Sequence, residues 1–247
     1  MIIGFVGSGS MAAAMARGWA GKVDRMLFSD SGSGRAEALA AELSGEAVDS
    51  NADLAARADV LVLAVKPSRL DEVAAEIGVA AGPLISLLGA TSLDRVAAAF
   101  PAADVCRVMP NLAVEVSRGV LCVTGTPSAE VRRLLASLGL VVELADADFD
   151  AATAVMGCSP AYFALVVEAL ADAGVAAGLD PEVAGRLVVE TAAGTAELLR
   201  RRDPAELRKA VASPGGSTEA GLAALDRDGA RAAFEAAVQA SMERMRG

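Results

Sequence analysis

MIIGFVGSGSMAAAMARGWA, residues 1–20, is the stretch that decides the fold. An apolar run, Ile2 to Val6, passes directly into Gly7-Ser8-Gly9-Ser10-Met11-Ala12, and an alanine-rich segment from Met11 to Ala20 follows. Strand, G-x-G-x-x-A turn and helix in that order make a dinucleotide-binding fingerprint in its proper setting. Gly7 permits the tight turn, Gly9 lets the backbone approach a pyrophosphate, and Ala12 lets the helix pack near the strand. The helix's first amides have no partner along the chain and face the anion. A nicotinamide dinucleotide, NADP or NAD, is therefore expected at this turn.

Working outward, Arg25 to Asp30 has the character of a second strand, and Asp30 lies about 20 residues past the glycines, where the ribose-contacting acid of this motif sits. The residues after it, Ser31-Gly32-Ser33-Gly34-Arg35, offer hydroxyls and a guanidinium suited to a ribose 2′-phosphate. Asp30 argues for NAD, whereas Ser31 and Arg35 argue for NADP; the balance leans to NADP. A helix is expected over Arg35 to Leu43. Ala58 to Val65 is nearly continuous in apolar residues, as in a parallel strand covered on both faces. It stops at Lys66-Pro67, and the end of such a strand lines the ligand crevice of an open α/β sheet. Lys66 is either a cofactor contact or a solvent-facing charge. Pro83 to Leu88 and Val105 to Met109 repeat the strand pattern, so residues 1–145 are expected to form a doubly wound α/β sheet of Rossmann type.

Beyond Asp146 the strand signals end. Helical patterns run over Pro160 to Gly178, Pro181 to Arg201, Pro204 to Val211 and Gly229 to Arg246, with each proline in a first turn, where a missing N–H costs nothing. Residues 146–247 are thus expected to be all-α. Ala161 to Leu179 carries only Glu168 and Asp172 as charges and is apolar on nearly every face. A domain of this size rarely covers such a helix by itself, which points to a homodimer through the helical domain.

The net charge of −10 argues against a nucleic-acid surface, which needs clustered Lys and Arg. Cys106, Cys122 and Cys158 show no metal or disulfide spacing, so no metal site is expected. The uncharged stretches Ile77 to Leu93 and Ala151 to Val167 contain Gly or Pro breaks and fall short of an apolar span, and the first residues lack the basic flank of a signal peptide. A cytoplasmic protein without a membrane partner is the resulting expectation. The chain has no histidine, so proton transfer must fall to hydroxyls, carboxylates, lysine, cysteine, backbone or water.

Several segments together resemble the pyrroline-5-carboxylate reductase family. They are residues 2–18, Ala64-Val65-Lys66-Pro67, Arg107-Val108-Met109-Pro110-Asn111, the block Gly157-Cys158-Ser159-Pro160-Ala161-Tyr162 with Glu168 to Gly174, and Ser213-Pro214-Gly215-Gly216-Ser217-Thr218-Glu219-Ala220-Gly221. The resemblance covers essentially the whole chain. It implies reduction of the cyclic imine Δ1-pyrroline-5-carboxylate to L-proline by NAD(P)H, in dimers or rings of dimers built through the helical domain. By position it implies that Gly7, Gly9, Ser10 and Met11 cradle the pyrophosphate, that Asn51 contacts the adenosine side, and that Ala64, Lys66 and Pro67 line the nicotinamide cleft. Ser213, Gly215, Gly216, Ser217 and Thr218 would receive the substrate. Two departures stand out: Leu112-Ala113 replaces the usual Thr-Pro, and Cys158 stands where Gly or Ser is usual.

Imine reduction needs a hydride donor, an anchor for the substrate carboxylate, and a hydrogen bond or proton for the nitrogen. Pro214 to Thr218 can present successive amides as an anion nest, or can be an ordinary loop in which Ser217 or Thr218 caps a helix. The Thr218 hydroxyl is the first candidate partner for the nitrogen and Tyr162 the second, although a lone aromatic at a helix start commonly serves packing. An imine that enters already protonated needs no strong general acid. Cys106 and Cys158 are expected as small buried hydrophobes. The rival readings are a reductase of another cyclic imine or imino acid, suggested by Leu112-Ala113, and a non-catalytic NAD(P)-binding sensor or scaffold.

Overall fold

Parallel strands covered on both faces must be apolar throughout, and β1, Ile2–Val6, is the central case. In the computed structural model, which describes residues 1–246, it pairs in parallel with β2, Arg25–Ser29, on one side and with β4, Val60–Leu63, on the other. The remaining strands are β3, Glu46–Ala47; β5, Gly82–Ser86; β6, Ala103–Pro110; β7, Gly119–Gly125; and β8, Gly139–Glu143. They form one sheet in the order β3-β2-β1-β4-β5-β6-β7-β8, parallel except where β7 runs antiparallel to β6. The order reverses direction between β1 and β4, and that switch point is where such sheets bind ligands.

Alternation along the strands divides the core into two layers. Ile3 and Phe5 of β1 and Val60 and Val62 of β4 join α1, Ser10–Trp19, and α2, Arg35–Leu43, in one buried cluster. Val6, Leu61 and Leu63 face the other way, toward α3, Asn51–Arg57; α4, Leu70–Ile77; and α5, Leu93–Ala99. Trp19 is fully buried in the first layer, and its indole N–H donates to the carbonyl of Leu134 on α6, Ala129–Ala136, at 3.0 Å. A short helix, α7, Phe149–Ala152, follows β8 and passes into a π-helical turn, Thr153–Gly157. Arg107 of β6 is buried beneath this segment. Its Nη1 lies 2.7 Å from Asp146 Oδ1, its guanidinium stacks 4.5 Å from the Phe149 ring centroid, and its Nε has no hydrogen-bond partner among the described residues.

The chain resolves into two compact units, Met1–Cys158 with the residues from Met242 onward, and Ser159–Ser241. The second holds α8, Ser159–Ala176; α9, Pro181–Leu199; α10, Pro204–Val211; α11, Ser217–Arg227; and most of α12, Ala230–Arg246. Pro181 and Pro204 occupy first turns, as expected, and Asp180 and Asp203 cap those helices by accepting from the two amides beyond each proline. α8 packs on α9 yet buries no residue of its own. Phe163 is 70% exposed, Leu165 62% and Leu170 56%, so the cover that an all-apolar helix needs is not supplied by this single chain.

One expectation needs correction. The helical run Asp146–Ala176 contains a window long and apolar enough to cross a membrane by length and composition, the one such run among the described residues. Pro160 falls in the first turn of α8, where its missing N–H is tolerated, while Gly157 closes the π-turn just before the boundary between the two units. Length and composition alone therefore do not exclude a membrane partner.

Candidate functional site

The turn after β1 is built as its sequence requires. Gly7 has φ +98°, and a Cβ there would lie 2.7 Å from the carbonyl oxygen of Ala64 at the end of β4, so only glycine fits between the two strand ends. Its amide donates to Ser29 O at 3.1 Å, and the buried Ser8 hydroxyl donates to the same oxygen at 3.0 Å. Gly9 is the N-cap of α1 and makes no side-chain cap; the first helical bond runs from Ala13 N to Gly9 O. The amides of Ser10, Met11 and Ala12 are left for a ligand, and no acidic residue stands in the first turn to compete. A Cβ on Gly9 would meet nothing within 4 Å, so the space before this helix is a cradle that a side chain would occupy.

That space belongs to a cleft of about 820 Å³ at the switch point. Of the expected cofactor residues, Gly7, Gly9, Ser31, Arg35, Asn51, Ala64 and Lys66 all line it. Ser10 lines an adjoining pocket with Arg35 and Arg17, Met11 packs against the first core layer, and Pro67 opens a 3₁₀ turn just behind Lys66. Asn51 is held from both ends: its Oδ1 accepts from Ser29 Oγ at 2.6 Å, and its Nδ2 donates to Glu76 on α4. The Lys66 side chain is exposed at the rim.

Asp30 shows what the sequence could not. Its carboxylate accepts from the amides of Gly32, Ser33, Arg35 and Ala36 and from the Ser33 hydroxyl, at 2.7 to 3.0 Å. Burial alone would raise its pKa; the Ser33 hydroxyl and the converging amides outweigh that and hold the carboxyl well below its ordinary range. It is spent on its own loop. The Arg35 guanidinium and the Ser31 hydroxyl, by contrast, make no ion pair or hydrogen bond among the described residues.

In the helical unit, Ser213-Pro214-Gly215-Gly216 form a turn closed by Gly216 N donating to Ser213 O at 2.9 Å. Pro214 fixes the first central φ and Gly215 takes +71° at the second, the type II requirement. Gly216 is the N-cap of α11 and has no side-chain cap, so neither Ser217 nor Thr218 plays that role. Gly215 N donates to Glu219 Oε2 at 2.7 Å. The donors left facing outward are the amides of Ser217, Thr218 and Glu219, with the half-buried Thr218 hydroxyl unbonded among the described residues. Tyr162 donates to or accepts from Ser241 Oγ at 2.7 Å and so has a partner within its own unit.

Leu112 is 50% exposed on a 3₁₀ turn, Leu112–Val116, that packs on α1. The preceding Asn111 is buried, accepting from Val120 N and donating to Met156 O in the π-turn. Burial pushes the Cys106 thiol up to about 12, with Arg132 opposing, so it is an inert hydrophobe as expected; Cys158 is only half-buried, at the end of the π-turn rather than inside a core.

Two family profiles match the chain: "Pyrroline-5-carboxylate reductase dimerisation" over residues 146–247, and "NADP oxidoreductase coenzyme F420-dependent" over residues 2–88. A pyrroline-5-carboxylate reductase from Synechocystis sp. is 37% identical over 256 residues, spanning 98% of this chain and 96% of the relative. The solved 1-pyrroline-5-carboxylate reductase from Streptococcus pyogenes matches with a TM-score of 0.88 at 32% identity, covering 100% of this chain and 98% of that one. Plasmodium falciparum pyrroline carboxylate reductase, solved with NADP bound, gives 0.87 at 28% identity, covering 100% and 97%. With a nucleotide cradle in one unit, an open glycine turn in the other and relatives matched end to end, the chain belongs to the pyrroline-5-carboxylate reductase family.

Proposed function

We propose that the chain reduces Δ1-pyrroline-5-carboxylate to L-proline, with NADPH as the preferred reductant. The observation that carries this reading is the full-length match to reductases of that name, with the cradle at Gly7 and Gly9 and the Ser213 to Thr218 turn both present. The bound nicotinamide supplies a hydride to the imine carbon. The chain's own part is binding and orientation. The uncapped amides of Ser10, Met11 and Ala12 take the pyrophosphate, Asn51 stands on the adenosine side, and Ala64, Lys66 and Pro67 border the nicotinamide end. Ser31 and Arg35, both unpartnered, take the 2′-phosphate, which favours NADPH over NADH.

The amides of Ser217, Thr218 and Glu219, beside Ser213, Gly215 and Gly216, receive the substrate carboxylate, and the Thr218 hydroxyl bonds the ring nitrogen. We read the nitrogen as arriving protonated, so that no general acid is asked of a chain without histidine; hydride addition to the iminium carbon would then leave a single C–N bond and the nitrogen with its proton. The domain division proposed is 1–145 for the cofactor and 146–247 for dimerisation and substrate binding. The exposed faces of α8 and α9 pair with a second copy, giving a cytoplasmic homodimer able to associate further into rings. Leu112, on the turn against α1, borders the pocket of Gly9 and Ser10, but the full-length relatives are pyrroline-5-carboxylate reductases, and neither a different imine nor a non-catalytic role gains support of its own. The deciding experiment is turnover of pyrroline-5-carboxylate by purified protein with NADPH and NADH separately. Oxidation of neither overturns the reading, and faster turnover with NADH overturns the cofactor preference.

A further inference from the structure

We propose that Asp30 is a positioning residue that favours a 2′-phosphate, the reverse of the role an acid at the end of β2 ordinarily plays. The inference rests on the NADPH reading above and adds the device behind it. At this position a carboxylate normally accepts the ribose 2′-hydroxyl and so selects NAD. That requires a free acceptor site, and an ionised carboxylate offers about four. Here five donors already converge on it: Gly32 N and Ser33 N on Oδ1, and Ser33 Oγ, Arg35 N and Ala36 N on Oδ2. A ribose hydroxyl would have to displace one of them. Gly34, which precedes α2, has no side chain with which to cap it, and Asp30 reaches across to cap the helix instead, through the first two helical amides. The same bonds fold residues 31–35 into the wall of the cleft. They leave the Ser31 hydroxyl and the Arg35 guanidinium as the groups in that wall without partners among the described residues. A 2′-phosphate brings charge and several acceptor oxygens to these donors, whereas a 2′-hydroxyl brings one uncharged oxygen, and its proton meets no free site on Asp30.

The test separates Asp30 from the cofactor preference by using nucleotide fragments. Adenosine 2′,5′-bisphosphate and 5′-AMP differ by the 2′-phosphate alone, and calorimetry measures both. The unaltered protein should bind the bisphosphate more tightly than AMP by about 10-fold or more. Asp30→Asn keeps the size but turns an amino group toward the loop amides. It should lose about 10-fold in bisphosphate affinity while AMP affinity holds within roughly twofold. Retained or improved bisphosphate binding, or a loss confined to AMP, makes Asp30 a ribose acceptor and overturns the proposal. Arg35→Ala guards the underlying reading: if the unaltered protein shows no preference for the bisphosphate and Arg35→Ala moves neither affinity, the NADPH assignment has failed before Asp30 is touched. Should Asp30→Asn not fold, hydrogen exchange on the unaltered protein decides. The amides of Gly32, Ser33, Arg35 and Ala36 should be protected relative to that of Ser31, and equal rates overturn the proposal.

Discussion

Removing the Thr218 hydroxyl separates chemistry from architecture at the substrate turn. Thr218 is the second residue of α11, whose N-cap is Gly216 without a side-chain bond, and its hydroxyl has no partner among the described residues. Thr218→Ala therefore breaks no bond within the fold, and alanine is the better helix former by about 0.5 kcal/mol. The melting temperature should stay within about 2 °C of the unaltered protein or rise slightly. If the hydroxyl bonds the ring nitrogen as charge changes there, its loss costs about 1–3 kcal/mol of transition-state stabilisation. That is roughly 5- to 150-fold in kcat/KM. Cofactor affinity should not move, because the nucleotide cradle is formed by a different stretch of chain, from Val6 to Glu76. Steady-state kinetics with pyrroline-5-carboxylate and NADPH, a fluorescence titration of NADPH and a thermal melt on one preparation measure all three. Turnover within twofold of the unaltered enzyme removes Thr218 from the reaction. A fall of several degrees in melting temperature refutes the structural argument that it caps nothing.

Gly9→Val places a branched side chain in the open space before α1 and should weaken NADPH by about 100-fold while the melt stays nearly unchanged; unaltered affinity in a fluorescence titration means that the cradle is only a turn. The unaltered chain should be dimeric or larger by light scattering at submicromolar concentration, and Val166→Asp, in the middle of the exposed face of α8, should dissociate or unfold it; a well-folded monomer of the unaltered chain refutes the pairing, and partition into detergent or vesicles in place of self-association points to a membrane surface. Arg107→Leu removes one partner of a buried ion pair. Because Asp146 is 31% exposed and keeps the Leu93 amide, the cost should be about 2–3 kcal/mol, roughly 5–10 °C in a thermal melt, and a shift under 2 °C means the pair is idle.

The sheet was legible wherever a strand is buried on both faces. Ile2–Val6, Val60–Leu63 and Gly82–Ser86 announce themselves as apolar runs, and the bounds expected for them differ from the observed ones by only a few residues. β7 and β8 were not visible. Both carry short apolar runs, Val120 to Val123 and Leu140 to Val142, that the strand pattern read as far as Met109 does not include; β8 lies at the edge with its residues at most partly buried, and its leading Gly139 packs against Gly119 at the start of β7. The strand, glycine turn and helix after Met1 are legible because glycine spacing encodes backbone geometry. Asp30 was legible as an acid in the right place, but saturation of a carboxylate depends on where four amides and a hydroxyl converge, and residue type does not carry that. At α11, Ser217 and Thr218 have the composition of caps. The helix begins one residue earlier than a cap there would allow, because Gly216 already closes the turn onto Ser213. Ala151 to Val167 reads as broken by Gly157 and Pro160, yet it lies within the helical run Asp146–Ala176, because Pro160 falls in a first turn, where a helix tolerates it.

The bare surface of α8 makes the two halves of this chain answer to different laws of assembly. The first unit encloses two apolar layers from its own residues, so its collapse is first order and indifferent to how many chains are present. If the second pairs with another copy, as proposed, its completion is bimolecular and slows in proportion to dilution. By mass action the melting temperature should then climb with protein concentration, by an amount set by the dissociation constant. A cell making few copies would hold half-finished subunits for longer, with Phe163, Leu165 and Leu170 open to chaperones or to the wrong neighbour. On the proposed pairing, expression level, which leaves a self-sufficient fold untouched, would help determine how much of the polypeptide is native.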